Sequence, residues 1–303
     1  MIKKNIQNKH NMQKKQNKIL LLSLIMLFLV ISLLSAFNWP QLIETNQDIS
    51  TYFGQPRGSA FSNSIVFENP SEVKPAEDGY LLINLKTGIA DMGWYENTLG
   101  NAVILAHEND LLTVYGNLEE IIIPESQEST IITKAQNLGY SGSTGWQKGK
   151  NSLEFQIIDT KSSKVINPFI LMPSLQVKTD LVIKDFVAVN NSGKEIPISN
   201  YSKLNSGVYN LFIQKQPSGT TYKTSVYVNG AVVENIIYDV LSSSENRLTV
   251  LGKENYFFDE IYKNNEKQFL AEVVLPRGRN QITITIEDFF GNQKTTTYTI
   301  EVI

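Results

Sequence analysis

The chain has 303 residues, of which 42% are hydrophobic and 19% are charged, a composition typical of a globular protein long enough for two domains. It contains no cysteine, which excludes disulfides, thiolate metal sites, cysteine nucleophiles and lipidation at cysteine. Histidine occurs only at His10 and His107, so a site that requires several imidazoles cannot be built.

The N-terminus has the pattern of a membrane segment. Residues 1–18 carry six lysines and no acidic residue, and residues 19–37 contain no charge. As a helix, the uncharged run would be about 28 Å long, close to the thickness of the bilayer hydrocarbon. The sequence predicts a cytoplasmic basic tail and a single transmembrane helix, with the bulk of the chain on the extracytoplasmic (periplasmic) side of the cell membrane. A cleaved signal peptide is the alternative for 19–37.

The exported part is acidic. Without the six lysines of the tail, 21 Lys and Arg stand against 30 Asp and Glu, a net charge of −9. A surface of this sign does not attract polyanions, so nucleic acid is excluded as a partner. Residues 38–54 are predicted to be a linker.

From residue 39 onward the sequence predicts an all-β protein. Short runs rich in β-branched and aromatic residues are separated by Gly, Asn, Asp and Pro, and no long stretch has a helical period. The clearest runs are 80–85, 101–107, 111–118, 129–142 and 152–159. Pro168 and Pro173 interrupt the pattern between 165 and 180 and indicate a domain boundary there.

A second all-β domain is predicted for residues 175–303. Asn229-Gly230 is a dipeptide favoured in two-residue hairpin turns. Near the C-terminus, isoleucines at 282, 284 and 286 alternate with threonines, which is typical of a strand with one buried and one solvated face. The pattern G-x-N-x-I-x-I…D-x-x-G-N resembles bacterial immunoglobulin-like modules, so an immunoglobulin-like β-sandwich is expected.

Residues 55–174 carry five motifs in a recognisable order. They are VKPAEDGYLL (73–82), GNAVILAHENDLLTVYGNL (100–118), LGYSGSTG (138–145), LEFQI (153–157) and INPF (166–169). This series resembles the lysostaphin/LytM-type zinc endopeptidases, which cut the peptide cross-bridges of peptidoglycan. The resemblance implies the LytM-like duplicated-hybrid-motif fold, a β-sheet or barrel.

The resemblance also implies where zinc ligands would stand. In the family, an H-x-x-x-D motif and the second His of an H-x-H bind the metal and leave one open position for water. The matching positions here are Ser62 and Val66 for the first motif and Ser152 and Glu154 for the second, and Asn117 replaces the His of Y-x-H-L. The sequence therefore predicts a degenerate peptidase domain without a catalytic residue, metal or cofactor. His107 matches a strand-end His of the family that does not bind zinc, and it is expected to be structural.

Aromatic residues are expected to line the groove that such a domain retains. The candidates are Trp94, Tyr95, Tyr115 and Trp146, and Trp146 stands in the most polar and glycine-rich surroundings. The resemblance implies a role for such a domain, because degenerate members of the family regulate peptidoglycan hydrolases of the amidase type by binding them. The first hypothesis is therefore an inactive regulator or scaffold of peptidoglycan hydrolysis. A peptidoglycan-binding module and an active endopeptidase with a non-standard site are the alternatives.

Overall fold

The structure is a computed structural model that describes residues 37–43, 48–87, 97–123, 131–146, 151–175, 180–216, 221–264 and 266–303. The predicted basic tail and all but the last residue of the predicted membrane segment lie outside these ranges. Within them, no helix has the length and apolar character needed to cross a membrane.

The described residues form 24 strands, two short helices and one 3-10 turn. The strands up to residue 166 are β1 Ile49–Thr51, β2 Pro56–Arg57, β3 Ala60–Phe61, β4 Ile65–Phe67, β5 Glu72–Val73, β6 Gly79–Leu85, β7 Asn101–Ala106, β8 Leu111–Ile121, β9 Ile131–Ile132, β10 Gly139–Ser141, β11 Leu153–Asp159 and β12 Lys164–Ile166. The 3-10 turn is Glu108–Asp110, and helix α1 is Pro168–Leu171.

The later strands are β13 Val187–Asn190, β14 Glu195–Pro197, β15 Lys203–Leu204, β16 Gly207–Gln214, β17 Thr221–Val228, β18 Ala231–Ser244, β19 Arg247–Leu251, β20 Asn255–Phe257, β21 Tyr262–Lys263, β22 Lys267–Leu275, β23 Gly278–Asp288 and β24 Gln293–Val302. Helix α2 is Phe258–Ile261. The predicted all-β class is confirmed.

The N-terminal region is organised around the neighbouring antiparallel strands β7, β8, β11, β4 and β1. On β11, the apolar residues Leu153, Phe155 and Ile157 are fully buried on one face. Because strand side chains alternate between faces, Glu154 and Gln156 point to the opposite face, where they are also buried. The candidate site is built around Glu154 and Gln156, which are neighbours on the same covered face of β11.

The segment 38–54, predicted as a linker, is part of the N-terminal region over its described residues. The Trp39 ring packs edge-on against Phe67 and Phe169, with centroid distances of 6.2 and 5.2 Å. Further along, β1 pairs with β4. The linker prediction is corrected because apolar contacts and a strand ladder hold this segment in place, and the local composition gave no sign of either.

The C-terminal region is a β-sandwich. One layer contains β18, β17, β23 and β24, and the other has the order β14-β13-β16-β22-β21. The inner faces share one core, to which the alternating isoleucines of β23 contribute Ile282, Ile284 and Ile286. The predicted turn at Asn229-Gly230 is present, with φ values of 51° and 84°, and it joins β17 to β18. The immunoglobulin-like topology remains a prediction.

Two sets of contacts join the N-terminal region to the sandwich. Strand β12 pairs with β18, so hydrogen bonds of one ladder run from residues 164–166 to 240–242. In addition, Phe61 packs against Tyr238, Phe258 and Tyr262 at centroid distances of 5.5 to 6.4 Å. Because Phe61 belongs to the hairpin of β2 and β3, side chains of the sandwich fix the position of that hairpin.

Candidate functional site

Strands β4 and β11 bring two of the predicted site positions together. Val66 is the register partner of Glu154, so their side chains lie next to each other on the same face of the sheet. Both are buried, with 2% of each residue exposed. The position that the resemblance assigns to a ligand on β4 is therefore an apolar side chain beside a buried carboxylate.

The Glu154 carboxylate is bound by the guanidinium group of Arg57. The Nη1–Oε1 and Nη2–Oε2 distances are both 2.8 Å, which makes the pair bidentate. Arg57 comes from the β2–β3 hairpin, where Gly58 takes a positive φ of 64° at the turn. A second bond runs from Nη1 to the Ser64 hydroxyl oxygen at 3.0 Å. The site therefore holds a buried salt bridge of which sequence reasoning found only one partner.

Two further side chains complete the surroundings of the carboxylate. The Trp146 indole N–H donates to Glu154 Oε2 at 2.8 Å, and the Gln156 amide donates to Oε1 at 3.1 Å. The Arg57 guanidinium lies 3.7 Å from the centroid of the Trp146 ring, a cation–π contact. Every oxygen of the carboxylate thus accepts at least two hydrogen bonds, which is what a buried charge requires.

The same contacts set the protonation of Glu154. Burial by itself would raise the pKa of this carboxyl, but the hydrogen bonds and positive charge of Arg57, with the bonds from Trp146 and Gln156, outweigh burial and lower the pKa below its ordinary value of 4.5. Glu154 is therefore an ionised, fully paired group near neutral pH. A general base would need a less well satisfied carboxylate.

Ser62 and Ser152 bond within the protein. The Ser62 hydroxyl donates to the Ser64 carbonyl oxygen at 3.1 Å. Ser152 accepts a hydrogen bond from the Asn117 amide at its hydroxyl oxygen, at 2.8 Å. Both serines are buried, so their side chains serve local structure.

Asn117 organises the loops around the glycine-rich turn. Its amide also donates to the carbonyl oxygens of Gly142 and Ser152, and its Oδ1 accepts the backbone N–H of Gly145 at 2.8 Å. Asn117 has a φ of 65°, a left-handed conformation that asparagine tolerates better than most residues. At the position of the family's histidine stands an amide that holds three chain segments together.

His107 lies between two hydrogen-bond partners near the end of β7. Its Nδ1 is 2.9 Å from the Asp78 carbonyl oxygen and its Nε2 is 2.7 Å from the Thr113 hydroxyl. The carbonyl can only accept, so Nδ1 carries the proton and Nε2 accepts from Thr113 in the neutral ring. Burial lowers the pKa of His107, and the Asp78 bond and the Glu77 charge offset this only in part. These contacts agree with the structural role expected for this residue.

The four aromatic candidates differ in their surroundings. Trp146 is 48% exposed although its indole N–H is bonded to Glu154. Tyr115 is completely buried, and its hydroxyl oxygen accepts the backbone N–H of Ala76 at 2.7 Å, so it belongs to the core and offers no surface to a ligand. Trp94 and Tyr95 lie outside the described residues.

Arg57 is the residue that sequence reasoning missed. It lies before the first recognisable motif, and 97 residues separate it from Glu154. One signal was available, because Arg57 is the only arginine between residues 55 and 174. A glutamate buried on a strand requires a cation or several hydrogen-bond donors, and arginine is the residue best suited to buried pairs.

Comparison with known proteins gives a family match for part of the N-terminal region. A model described as peptidase family M23 matches residues 64–168. The chain contains an M23 peptidase domain. A second family model matches residues 180–303. No curated protein matches the chain in sequence.

Several solved structures resemble the chain. They include a mutant catalytic domain of the prophage-encoded M23 protein EnpA from Enterococcus faecalis, at 18% identity, with 40% of this chain and 87% of that chain covered and a TM-score of 0.32. LytU matches at 18% identity, with 44% and 88% covered and a TM-score of 0.33. A chain of the SpoIIQ–SpoIIIAH pore-forming complex matches at 20% identity, with 46% and 81% covered and a TM-score of 0.30.

The residues of the M23 domain do not fit the zinc ion that the family implies. A catalytic zinc site needs nitrogen, sulfur or carboxylate ligands that converge on one point. Val66 has no donor atom, the Ser62 hydroxyl is bonded to backbone, and both oxygens of Glu154 are bound to Arg57. Across the described residues, no group of three His, Cys, Asp or Glu side chains could hold a metal ion.

Proposed function

We propose that this chain is a catalytically inactive M23-type protein of the cell envelope, which regulates or scaffolds peptidoglycan hydrolysis by binding a hydrolase of the amidase type. The observation that carries the proposal is the Arg57–Glu154 pair. A guanidinium group placed against the only carboxylate of the former ligand set excludes a metal cation from that point by repulsion and by volume.

The pair also bears on what the groove can bind. Arg57 is bonded to Glu154 and the Trp146 ring stacks against the guanidinium, so the protein's own side chains surround this carboxylate. A cross-bridge peptide would have to displace a buried, bidentate salt bridge to reach it. Contact of a partner protein with the half-exposed Trp146 ring requires no such displacement.

The proposed location is the extracytoplasmic side of the cell membrane. It rests on the sequence alone, namely the six lysines of residues 1–18 followed by an uncharged run of 19 residues. A retained helix would keep the M23 domain close to the membrane, whereas cleavage would release it. Antibody detection of the C-terminus in membrane and soluble envelope fractions distinguishes the two.

The first experiment measures metal content and cleavage. The purified full chain, with and without added zinc, is assayed by elemental analysis and for cleavage of cross-linked peptidoglycan peptides. We expect less than about 0.1 zinc per chain and no cleavage, since the residues at the expected positions do not supply the three ligands that a catalytic zinc ion needs. One zinc per chain together with cleavage would establish an active endopeptidase and refute the proposal.

The second experiment tests the regulatory role. A purified amidase-type hydrolase of the same envelope is assayed for release of stem peptides from peptidoglycan, alone and with the full chain. We expect a change in its rate that is lost in Trp146→Ala and kept in the control Tyr201→Ala, whose ring is 81% exposed in the sandwich. Sedimentation of the chain with purified cell wall, together with an unchanged hydrolase rate, would favour the peptidoglycan-binding module instead.

A further inference from the structure

A cavity lies in the C-terminal sandwich, away from the candidate site of the M23 domain. It has a volume of about 700 Å³ and opens where β16 and β22 meet the turn before β20 and helix α2. Its lining residues are Asn210, Phe212, Glu234, Lys253, Glu254, Tyr256, Asp259, Glu260, Lys263, Phe269 and Glu272. This volume lies within the range of pockets that bind small molecules.

Three aromatic rings form the apolar part of the lining. Phe212, Tyr256 and Phe269 are each at most 7% exposed. Phe269 packs against the other two, with centroid distances of 5.6 Å to Phe212 and 5.3 Å to Tyr256. Their mutual packing holds the rings in place, so this wall is preformed and its faces carry the negative quadrupole potential that attracts cations.

The remaining lining is predominantly acidic, with five carboxylates and two ammonium groups. Three of the carboxylates already have partners. Glu234 accepts the Tyr256 hydroxyl and the backbone N–H of Lys253, Asp259 pairs with Arg247, and Glu260 accepts the backbone N–H at the start of helix α2.

The other two carboxylates differ. Glu254 and Glu272 are exposed, and no ion pair involves either of them within the part of the chain that the structure describes. A concave surface with this charge balance concentrates cations. Since no three of these acidic groups converge as metal ligands among the described residues, a metal ion is not the occupant that fits.

One residue of the protein shows that the aromatic wall accommodates an ammonium group. The Lys263 Nζ lies 5.6 Å from the centroid of the Phe212 ring, and the same ammonium lies 3.8 Å from Glu195. This is the arrangement of a cation between a ring face and a carboxylate. It occupies one side of the cavity, and its carboxylate partner is Glu195 rather than Glu254 or Glu272.

A second, apolar groove adjoins the cavity. It has a volume of about 360 Å³ and shares Glu234 and Lys253 with the first. Val232 and Leu251 line it and are 60% and 54% exposed. A ligand that extends from the acidic cavity into this groove would therefore bury apolar side chains next to its cationic group.

We propose that the cavity binds the side chain of a lysine, or a similar primary alkylammonium group, in an extended peptide whose neighbouring residue is apolar. The ammonium lies between Glu254, Glu272 and the aromatic wall, and the apolar neighbour lies against Val232 and Leu251. This site is separate from the groove of the M23 domain and goes beyond the function proposed above. It supplies the sandwich with a ligand of its own.

Binding of a defined probe to the full chain tests the proposal. The probe is fluorescein-labelled acetyl-Val-Lys-Val-amide, followed by fluorescence anisotropy at 50 mM and 300 mM NaCl. The matched probe carries Nε-acetyl-lysine and has no charge. We expect saturable binding of the first probe, about tenfold weaker binding of the acetylated probe, and weaker binding at the higher salt concentration.

Two double variants locate the site. Glu254→Gln with Glu272→Gln removes the two unpaired carboxylates at exposed positions, and we expect about tenfold weaker binding. Glu119→Gln with Glu120→Gln removes the same charge from the exposed end of β8 and should leave binding unchanged. Absence of saturation at 5 mM probe, equal affinity for both probes, or an equal loss in the two double variants would each overturn the proposal.

Discussion

Replacement of Arg57 by methionine tests the central contact of the M23 domain. Methionine keeps much of the aliphatic volume but removes the guanidinium group. The Glu154 side chain is 3% exposed, so it would be left without a cation and with little access to water. Removing one partner of a buried ion pair typically costs about 3 to 5 kcal/mol, because the remaining charge is uncompensated.

That cost is large relative to the stability of ordinary proteins. Net unfolding free energies are about 5 to 15 kcal/mol, and a loss of this size corresponds to a decrease in melting temperature of about 10 °C for a chain of this length. The reverse change, Glu154→Gln, should cost less. Arg57 keeps 20% exposure, so its guanidinium can still be partly hydrated. A larger loss of stability for Arg57→Met than for Glu154→Gln is expected when a buried carboxylate depends on its cationic partner.

The assay is urea unfolding followed by tryptophan fluorescence, with the slope of the transition checked for constancy. The double variant Arg57→Met with Glu154→Gln should recover most of the loss, since neither charge remains buried. Arg247→Met is the matched control, because Arg247 pairs with Asp259 at side-chain exposures of 50% and 69% and should cost less than about 1 kcal/mol. A cost below about 1 kcal/mol for Arg57→Met, or a double variant no more stable than this single variant, would refute the reasoning.

Four further predictions concern Glu154, His107, Phe61 and the positions that the resemblance assigns to zinc ligands. Because the pKa of Glu154 is lowered in the folded protein, its contribution to stability is complete above pH 4.5 and is lost as the pH falls through the lower folded value, and acid titration of unfolding should lose this component in Glu154→Gln. The pKa of His107 is also lowered, so its contribution is complete above pH 6.5 and decreases below that pH; His107→Gln should flatten the stability profile between pH 7 and 5, and an unchanged profile would contradict the buried neutral ring. Phe61→Ala should destabilise the protein by about 3 to 5 kcal/mol. It should also shift the fluorescence of the tryptophan that stacks on the hairpin's arginine, because the hairpin loosens. An unshifted spectrum would mean that the sandwich does not hold the hairpin. When Ser62→His, Val66→Asp and Glu154→His are added to the Arg57→Met variant, the protein should bind about one zinc per chain, measured by elemental analysis after dialysis. Absence of zinc uptake would show that these positions do not converge as the family's ligands do.

The sequence alone determined the elements and the family resemblance. Strands β6, β7, β8 and β11 lie where alternation and β-branched residues predicted them, because these patterns are local and repeat every two residues. The motifs around 100–118 and 138–145 identified the M23 domain for the same reason, since each is a short run of turn glycines and strand residues. The side chains at the positions that the resemblance assigns to zinc ligands could also be read directly from the sequence.

Only the tertiary structure decided what occupies the site. The partner of Glu154 comes from a hairpin 97 residues earlier. A contact between residues so far apart produces no local pattern that could be recognised in a single sequence. The burial of Tyr115, the pairing of β1 with β4 and the β12–β18 ladder were hidden for the same reason. Local pattern reports which face of a strand is apolar, but which chain segment covers that face depends on the packing of elements distant in sequence.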